Sequence, residues 1–277
     1  MQTPSQLDMT LLAGARTLLA VHACELPQRD DLCGAFCGAL ALRAASIDDR
    51  DGQPLDQDAV ALSAGSVVSR LKDTSCLPFG EQGRRDYRVW PPMIDDPAVS
   101  GTTPAGLVRA VDELSGGRLA AIPYAGPWTM GTLGGLFDLA AALQRPVTLV
   151  ANLATRHLWG ASARADQLLD YLFDGEQAGP PSDWDVGHFA CVIGRIQGPG
   201  GNLYAVADTY PSLGSGGVHL QPQERLAVAL QRPTMPPGGM VAIVCAEDAT
   251  GVRSGAGALG LLEGAWDNGT VTREMGT

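Results

Sequence analysis

Two β-rich runs, residues 188–196 and 203–207, are separated only by Gln197-Gly-Pro-Gly-Gly-Asn202. A parallel pair needs a crossover of a dozen or more residues. Six residues rich in glycine allow one solution, an antiparallel hairpin. The second half of the chain is therefore expected to build an antiparallel sheet. Residues 119–124, 147–153 and 240–245 are apolar runs of strand length and are expected to join it.

The first half reads differently. Apolar residues recur at helical spacing over 8–22 and 58–72, and an Ala/Leu-rich stretch, 35–45, reads as a strong helix. Asp8 is the expected N-cap of the first of these. Thr103-Pro104 opens another helix over 104–114 with proline in the first turn. Helices are also expected over 133–143, within 158–182 and over 221–231. Residues 73–103 carry several Pro and Gly without a period and read as a long irregular connection. Segregated helices and strands argue an α+β fold. One domain is expected over 1–248, and 249–277 reads as a Gly-rich tail with little periodicity.

Composition narrows the partners. Apolar residues make up 45% of the 277, enough for a sizeable core, and the net charge is −11. A nucleic-acid binder needs clustered Lys and Arg to release counterions; the nearest approach is the pair Arg84-Arg85. Nucleic acid and anionic membranes are not expected partners. Residues 1–8 are polar without a basic leader pattern, and no apolar run reaches spanning length, so the cytoplasm is the expected compartment. The six cysteines are then expected to be reduced thiols.

One cysteine stands apart. Cys33 follows the polar turn 28–32 and starts the 34–45 helix. A helix N-terminus stabilises a thiolate through its unpaired N–H groups and its dipole. Gly34 beside it lets a substrate approach the backbone. A nucleophilic thiol needs a base, most often histidine. His188 opens one strand of the hairpin, and Asp208 ends the other, so the two are expected to meet and orient one imidazole. Cys37 lies one turn beyond Cys33 and reads as core, with a reserve role as nucleophile. His157 is the rival base.

The residues Gln28, then Leu32-Cys33-Gly34-Ala35-Phe36-Cys37, then Gly187-His188-Phe189-Ala190-Cys191-Val192, then Tyr204-Ala205-Val206-Ala207-Asp208 resemble the C39 peptidase group of papain-like cysteine proteases. The resemblance spans about 24–246 in the family's order, expected here without transporter domains. It implies a papain-like fold, with an N-terminal helical half packed on the sheet. It implies that Cys33 attacks a carbonyl, that His188 moves the proton, and that Asp208 holds His188. It also implies that Gln28 donates to the oxyanion beside the Cys33 N–H. Three features depart from the family pattern. The Gln28–Cys33 interval is one residue short, Leu32 replaces an acidic residue, and Thr209 stands where the family has proline. The expected function is cysteine-dependent hydrolysis of a peptide or amide bond. Acyl or amide transfer through the same triad and an inactive peptide-binding module are the alternatives. The substrate is expected to be a peptide, amide or thioester. No cofactor or metal is expected: Cys33-x3-Cys37 has no second Cys/His pair at zinc spacing, and Gly255-x-Gly257-x-x-Gly260 lacks the βαβ unit a dinucleotide needs. Oligomeric state stays open.

Overall fold

A computed structural model describes residues 7–71, 74–160 and 162–272. The first six residues of the expected domain and the last five of the expected tail lie outside these, as do position 72 of the expected 58–72 helix, position 73 of the expected connection and position 161 of the 158–182 segment.

Seven strands form one sheet: β1 Asp8–Leu11, β2 Leu119–Tyr124, β3 Val147–Ala154, β4 Gly187–Gln197, β5 Asn202–Ala207, β6 Val218–Pro222 and β7 Gly239–Cys245. The order across the sheet is β6-β5-β4-β3-β7-β2, and every pairing is antiparallel. The long β4 pairs with β3 through 187–192 and with β1 through 194–197. The expected hairpin is β4 and β5, with Ile196 opposite Leu203 and a register shift between Val192 and Gly194.

Among the described residues eight α-helices accompany the sheet: α1 Ala15–Glu25, α2 Cys33–Ala44, α3 Gln57–Ala64, α4 Pro104–Ser115, α5 Met130–Ala141, α6 Ala165–Asp174, α7 Gln223–Gln231 and α8 Ala249–Ala258. The architecture is mixed α+β with a large antiparallel sheet. The helices do not all lie on one side. Residues of α2, α3 and α4 share a core with Val150, Phe189, Cys191, Ile193 and Val241. Residues of α5, α7 and α8 share a second core with Leu149, Ala151, Ala190, Val192 and Ala242. Burial on both faces explains why all eight residues of β3 are buried and why that strand reads as a continuous apolar run.

Four expectations are corrected. The helix over 8–22 is a strand followed by α1. Gly14, left-handed at φ 84°, separates them, with no room for a Cβ against Pro146 at 3.0 Å. The helix over 58–72 stops at Ala64, where Gly65 takes the left-handed cap. The helix expected over 221–231 begins at Gln223, because 218–222 extends the hairpin as β6. The segment read as a tail opens with α8, whose Ala249, Val252 and Ala256 are buried, and Trp266 beyond it is in the first core.

Helix α2 positions the site. Its sequence CGAFCGALALRA is buried on almost every side. A helix surrounded by protein needs small residues to admit its neighbours, and Gly38 lies so close to Val60 and Leu107 that a Cβ would be 2.9 and 2.8 Å from them. Two positions reach a surface, Arg43 in the last turn and Cys33, the first residue of the helix.

Candidate active site

The N-terminus of α2 has no side-chain cap and no acidic residue in its first turn. Its amides and dipole are thus unopposed at Cys33, which is half-buried. Asp30 and Asp31 hold the preceding turn. Asp30 accepts from the Arg84 N–H at 2.8 Å, and Asp31, left-handed at φ 65°, accepts from the Ser69 N–H at 2.7 Å. Gly34 faces Thr102 and Phe189, both buried, at distances a Cβ could not tolerate (2.8 and 3.2 Å). Gly34→Ala is therefore expected to lower stability by about 1–3 kcal/mol in urea melts, whereas an unchanged midpoint would show that this contact yields.

His188 is 3% exposed and donates from Nε2 to Asp208 Oδ1 at 2.9 Å. Cys33 also acts on the ring, so its sulfur lies near His188, while Nε2 is occupied by Asp208 and approached by the Thr209 hydroxyl at 3.3 Å. Burial disfavours the imidazolium, but the charge and hydrogen bond of Asp208, with Cys33 beyond, override it and raise the His188 pKa to about 10. Burial also opposes ionisation of Asp208, yet His188 and then His219 hold its carboxyl well below the usual range. The ring of His188 lies 4.7 Å from that of Trp184 and 6.2 Å from that of Tyr210. Trp184 donates from Nε1 to the Cys76 carbonyl at 2.8 Å, so the 73–103 and 158–186 segments meet over the histidine.

Asp208 is more heavily held than the sequence suggests. Its Oδ1 also accepts from the Thr209 N–H at 2.7 Å, and its Oδ2 faces His219 Nε2 at 3.1 Å. Its backbone carbonyl accepts from His22 Nε2 at 2.5 Å. Burial lowers the His22 pKa despite that neighbour, which favours the neutral ring. The His219 tautomer follows from Gln221. The Gln221 Oε1 accepts from the Trp159 N–H at 2.7 Å, so its amide nitrogen points at the Trp159 carbonyl and at His219 Nδ1, both at 3.0 Å. His219 Nδ1 must accept, so its Nε2 carries the proton and donates to Asp208.

Gln28 is 5% exposed. Its N–H donates to the Thr209 carbonyl at 2.9 Å, and the Thr209 hydroxyl donates to its Oε1 at 2.5 Å. That contact fixes the amide, and Nε2 has no partner among the described residues. Thr209→Val is expected to slow acylation of Cys33 about tenfold, since it frees the amide that Gln28 would present. A rate within twofold of the wild type in a burst assay would separate Gln28 from the chemistry.

The structure thus brings Cys33, His188, Asp208 and Gln28 together. Cys37 is fully buried against Cys191, and burial with that neighbour pushes its thiol well up. His157 sits on the turn after β3, facing Arg156, Asp185 and Arg225. Sequence reasoning missed His22, Thr209, His219, Gln221, Trp184 and Tyr210. The alternation His219-x-Gln221 is a strand signal hidden behind the Gly-rich 214–217 segment. No helix among the described residues is long and apolar enough to cross a membrane.

A family model described only as a family of unknown function (DUF6885) matches residues 12–267. No curated protein matches the chain.

Proposed function

We propose that this chain, which belongs to the DUF6885 family, performs cysteine-dependent acyl chemistry through Cys33, His188 and Asp208, most simply hydrolysis of a peptide or amide bond. One observation carries the reading. A half-buried thiol at an uncapped helix tip lies near an imidazole whose Nε2 is held at 2.9 Å by a buried carboxylate. Structural histidines seldom link a thiol to a carboxylate in this way; a nucleophile–base–orienter chain requires it. The ordered resemblance to C39-type papain-like peptidases supports the same assignment of roles and a papain-like fold.

In this reading His188 takes the Cys33 proton and the sulfur attacks the carbonyl carbon. The carbonyl π pair moves to oxygen, and Gln28 Nε2 and the Cys33 N–H stabilise that oxyanion; one such donor contributes about 10²–10³ in rate. When the C–N bond breaks, the amine leaves with the proton from His188, and a thioester remains on Cys33. Water then attacks the thioester with His188 as base, and carboxylate and thiol are restored. Two departures from the family pattern support one another here. The interval between Gln28 and Cys33 is short, and the residue after Asp208 is a threonine whose hydroxyl secures the Gln28 amide.

The test is a burst experiment with p-nitrophenyl acetate. One equivalent of p-nitrophenolate per chain, with an acetyl group mapped to Cys33 and no burst from Cys33→Ala, is the expected result. Acetyl groups spread over Cys24, Cys76 and Cys245 at equal rates would overturn the proposal. Adding an amine acceptor then separates hydrolysis from transfer: acetylamide in place of acetate marks a transferase.

A further inference from the structure

Arg232 is a buried cation without a carboxylate. It caps α7 in a left-handed conformation, φ 50°, and is 4% exposed. Its Nη1 donates to Asn152 Oδ1 at 2.7 Å and more weakly to the Pro237 carbonyl at 3.3 Å. Among the described residues Nη2 finds only the Met235 sulfur at 3.8 Å, a poor acceptor, and Nε has no partner. The Asn152 oxygen is shared with the Trp266 indole N–H at 3.1 Å, so it offers little more. Burial pulls the Arg232 pKa down, and its interaction with nearby Cys33 opposes this. A buried charge is ordinarily paired and fully hydrogen-bonded; this one is neither.

Its place explains the exception. Arg232 Nη2 lies against Gly187, where a Cβ would be 2.4 Å away. Gly187 is exposed and directly precedes His188. Asn152, which holds Nη1, also donates from Nδ2 to the His188 carbonyl at 3.4 Å. The absence of a side chain at Gly187 lets the guanidinium edge pack directly against an exposed stretch of backbone, beside the histidine that lies near Cys33. In a chain of net charge −11, that edge is a local cationic spot next to the nucleophile.

From this placement, and on the premise that Cys33 is the nucleophile, we infer that Arg232 recognises a carboxylate carried by the substrate close to the bond under attack. A guanidinium with two unused N–H positions suits a carboxylate, which accepts two parallel hydrogen bonds. The site therefore favours an acyl substrate bearing an anionic group near its scissile bond over a neutral one.

Iodoacetate and iodoacetamide test this, since they differ by one carboxylate. Rates at Cys33 are read by mass spectrometry in the full chain, with Cys24 as internal reference. The expected result is a Cys33 iodoacetate-to-iodoacetamide ratio that falls about tenfold in Arg232→Met, the worth of one charge-assisted contact, and recovers in Arg232→Lys. An unchanged ratio in Arg232→Met, with Cys33 still labelled faster than Cys24, overturns the role of Arg232 alone. Cys33 labelled no faster than Cys24 by either reagent overturns the nucleophile, and the inference falls with it. If Arg232→Met does not fold, the wild type answers: at constant ionic strength acetate must slow iodoacetate labelling of Cys33 more than acetamide does, and equal effects overturn the inference.

Discussion

Asp208→Asn is expected to slow acylation of Cys33 by about 10²–10⁴-fold, the usual worth of an oriented general base. The substitution keeps the shape and changes one acceptor into a donor. The carboxylate accepts three N–H groups: His188 Nε2 and the Thr209 backbone on Oδ1, His219 Nε2 on Oδ2. With the amide oxygen left on the first two, its NH₂ meets the His219 N–H. That ring cannot change tautomer, because Nδ1 faces the Gln221 amide nitrogen, itself locked by both polar groups of the Trp159 backbone. With the amide turned round, its NH₂ meets the Thr209 N–H, a backbone donor that cannot yield. Either way a buried donor faces a donor. His188 also loses the charge that raises its pKa to about 10, so the imidazolium beside Cys33 is no longer favoured. Breaking a buried charged pair costs about 3–5 kcal/mol of stability. Burst kinetics and urea melts on the same protein read both effects, and a burst within tenfold of the wild type would remove Asp208 from the mechanism.

The parts of this site differ in how far the sequence discloses them, and the reason is physical. Cys33, His188 and Asp208 lie at ends of elements with strong local signals. One starts an Ala-rich helix, and the others sit at the same end of a hairpin whose Gly-rich turn leaves a single pairing. Local pattern is enough to bring them together. His219 and Gln221 act from β6, a five-residue strand that follows a turn dense in glycine and runs straight into α7. Its short run merges into the helical period after it. His22 reaches Asp208 from α1 across 186 positions, and no local pattern encodes such a contact. The second helical layer was half legible. Residues 133–143 and 221–231 read as helices, but which sheet face they cover depends on the twofold alternation of β3, and a strand buried on both faces shows no alternation. Helix α8 was hidden because Ala249, Val252 and Ala256 carry its period among glycines, with little hydrophobic contrast.

Iodoacetamide is expected to modify Cys33 at pH 6 about 30- to 100-fold faster in the wild type than in His188→Ala. An ordinary exposed thiol is only about 0.3% thiolate at that pH. A cationic imidazole beside the sulfur favours the thiolate and relaxes that limit, although a less basic sulfur is intrinsically somewhat less nucleophilic. The sign of the pH dependence follows from His188. Its pKa is raised from 6.5 to about 10, so its proton is lost only as pH rises through that value. The imidazolium beside sulfur therefore persists from pH 6 to 8, and wild-type labelling should change less than about threefold there. Ordinary thiols gain about 80-fold over the same interval, and the labelling profile of His188→Ala should approach that rise. The same shift fixes where the pair stabilises the fold. The His188 contribution is complete below about 6.5 and fades toward pH 10, whereas the depressed Asp208 carboxyl contributes above about 3.8 and loses its effect in acid. The thermal advantage of the wild type over His188→Ala should accordingly peak between about pH 4 and 6.5. A flat labelling profile that survives in His188→Ala would move the source of the reactivity from the histidine to the open amides of α2 or the guanidinium of Arg232, cationic elements that this substitution leaves in place.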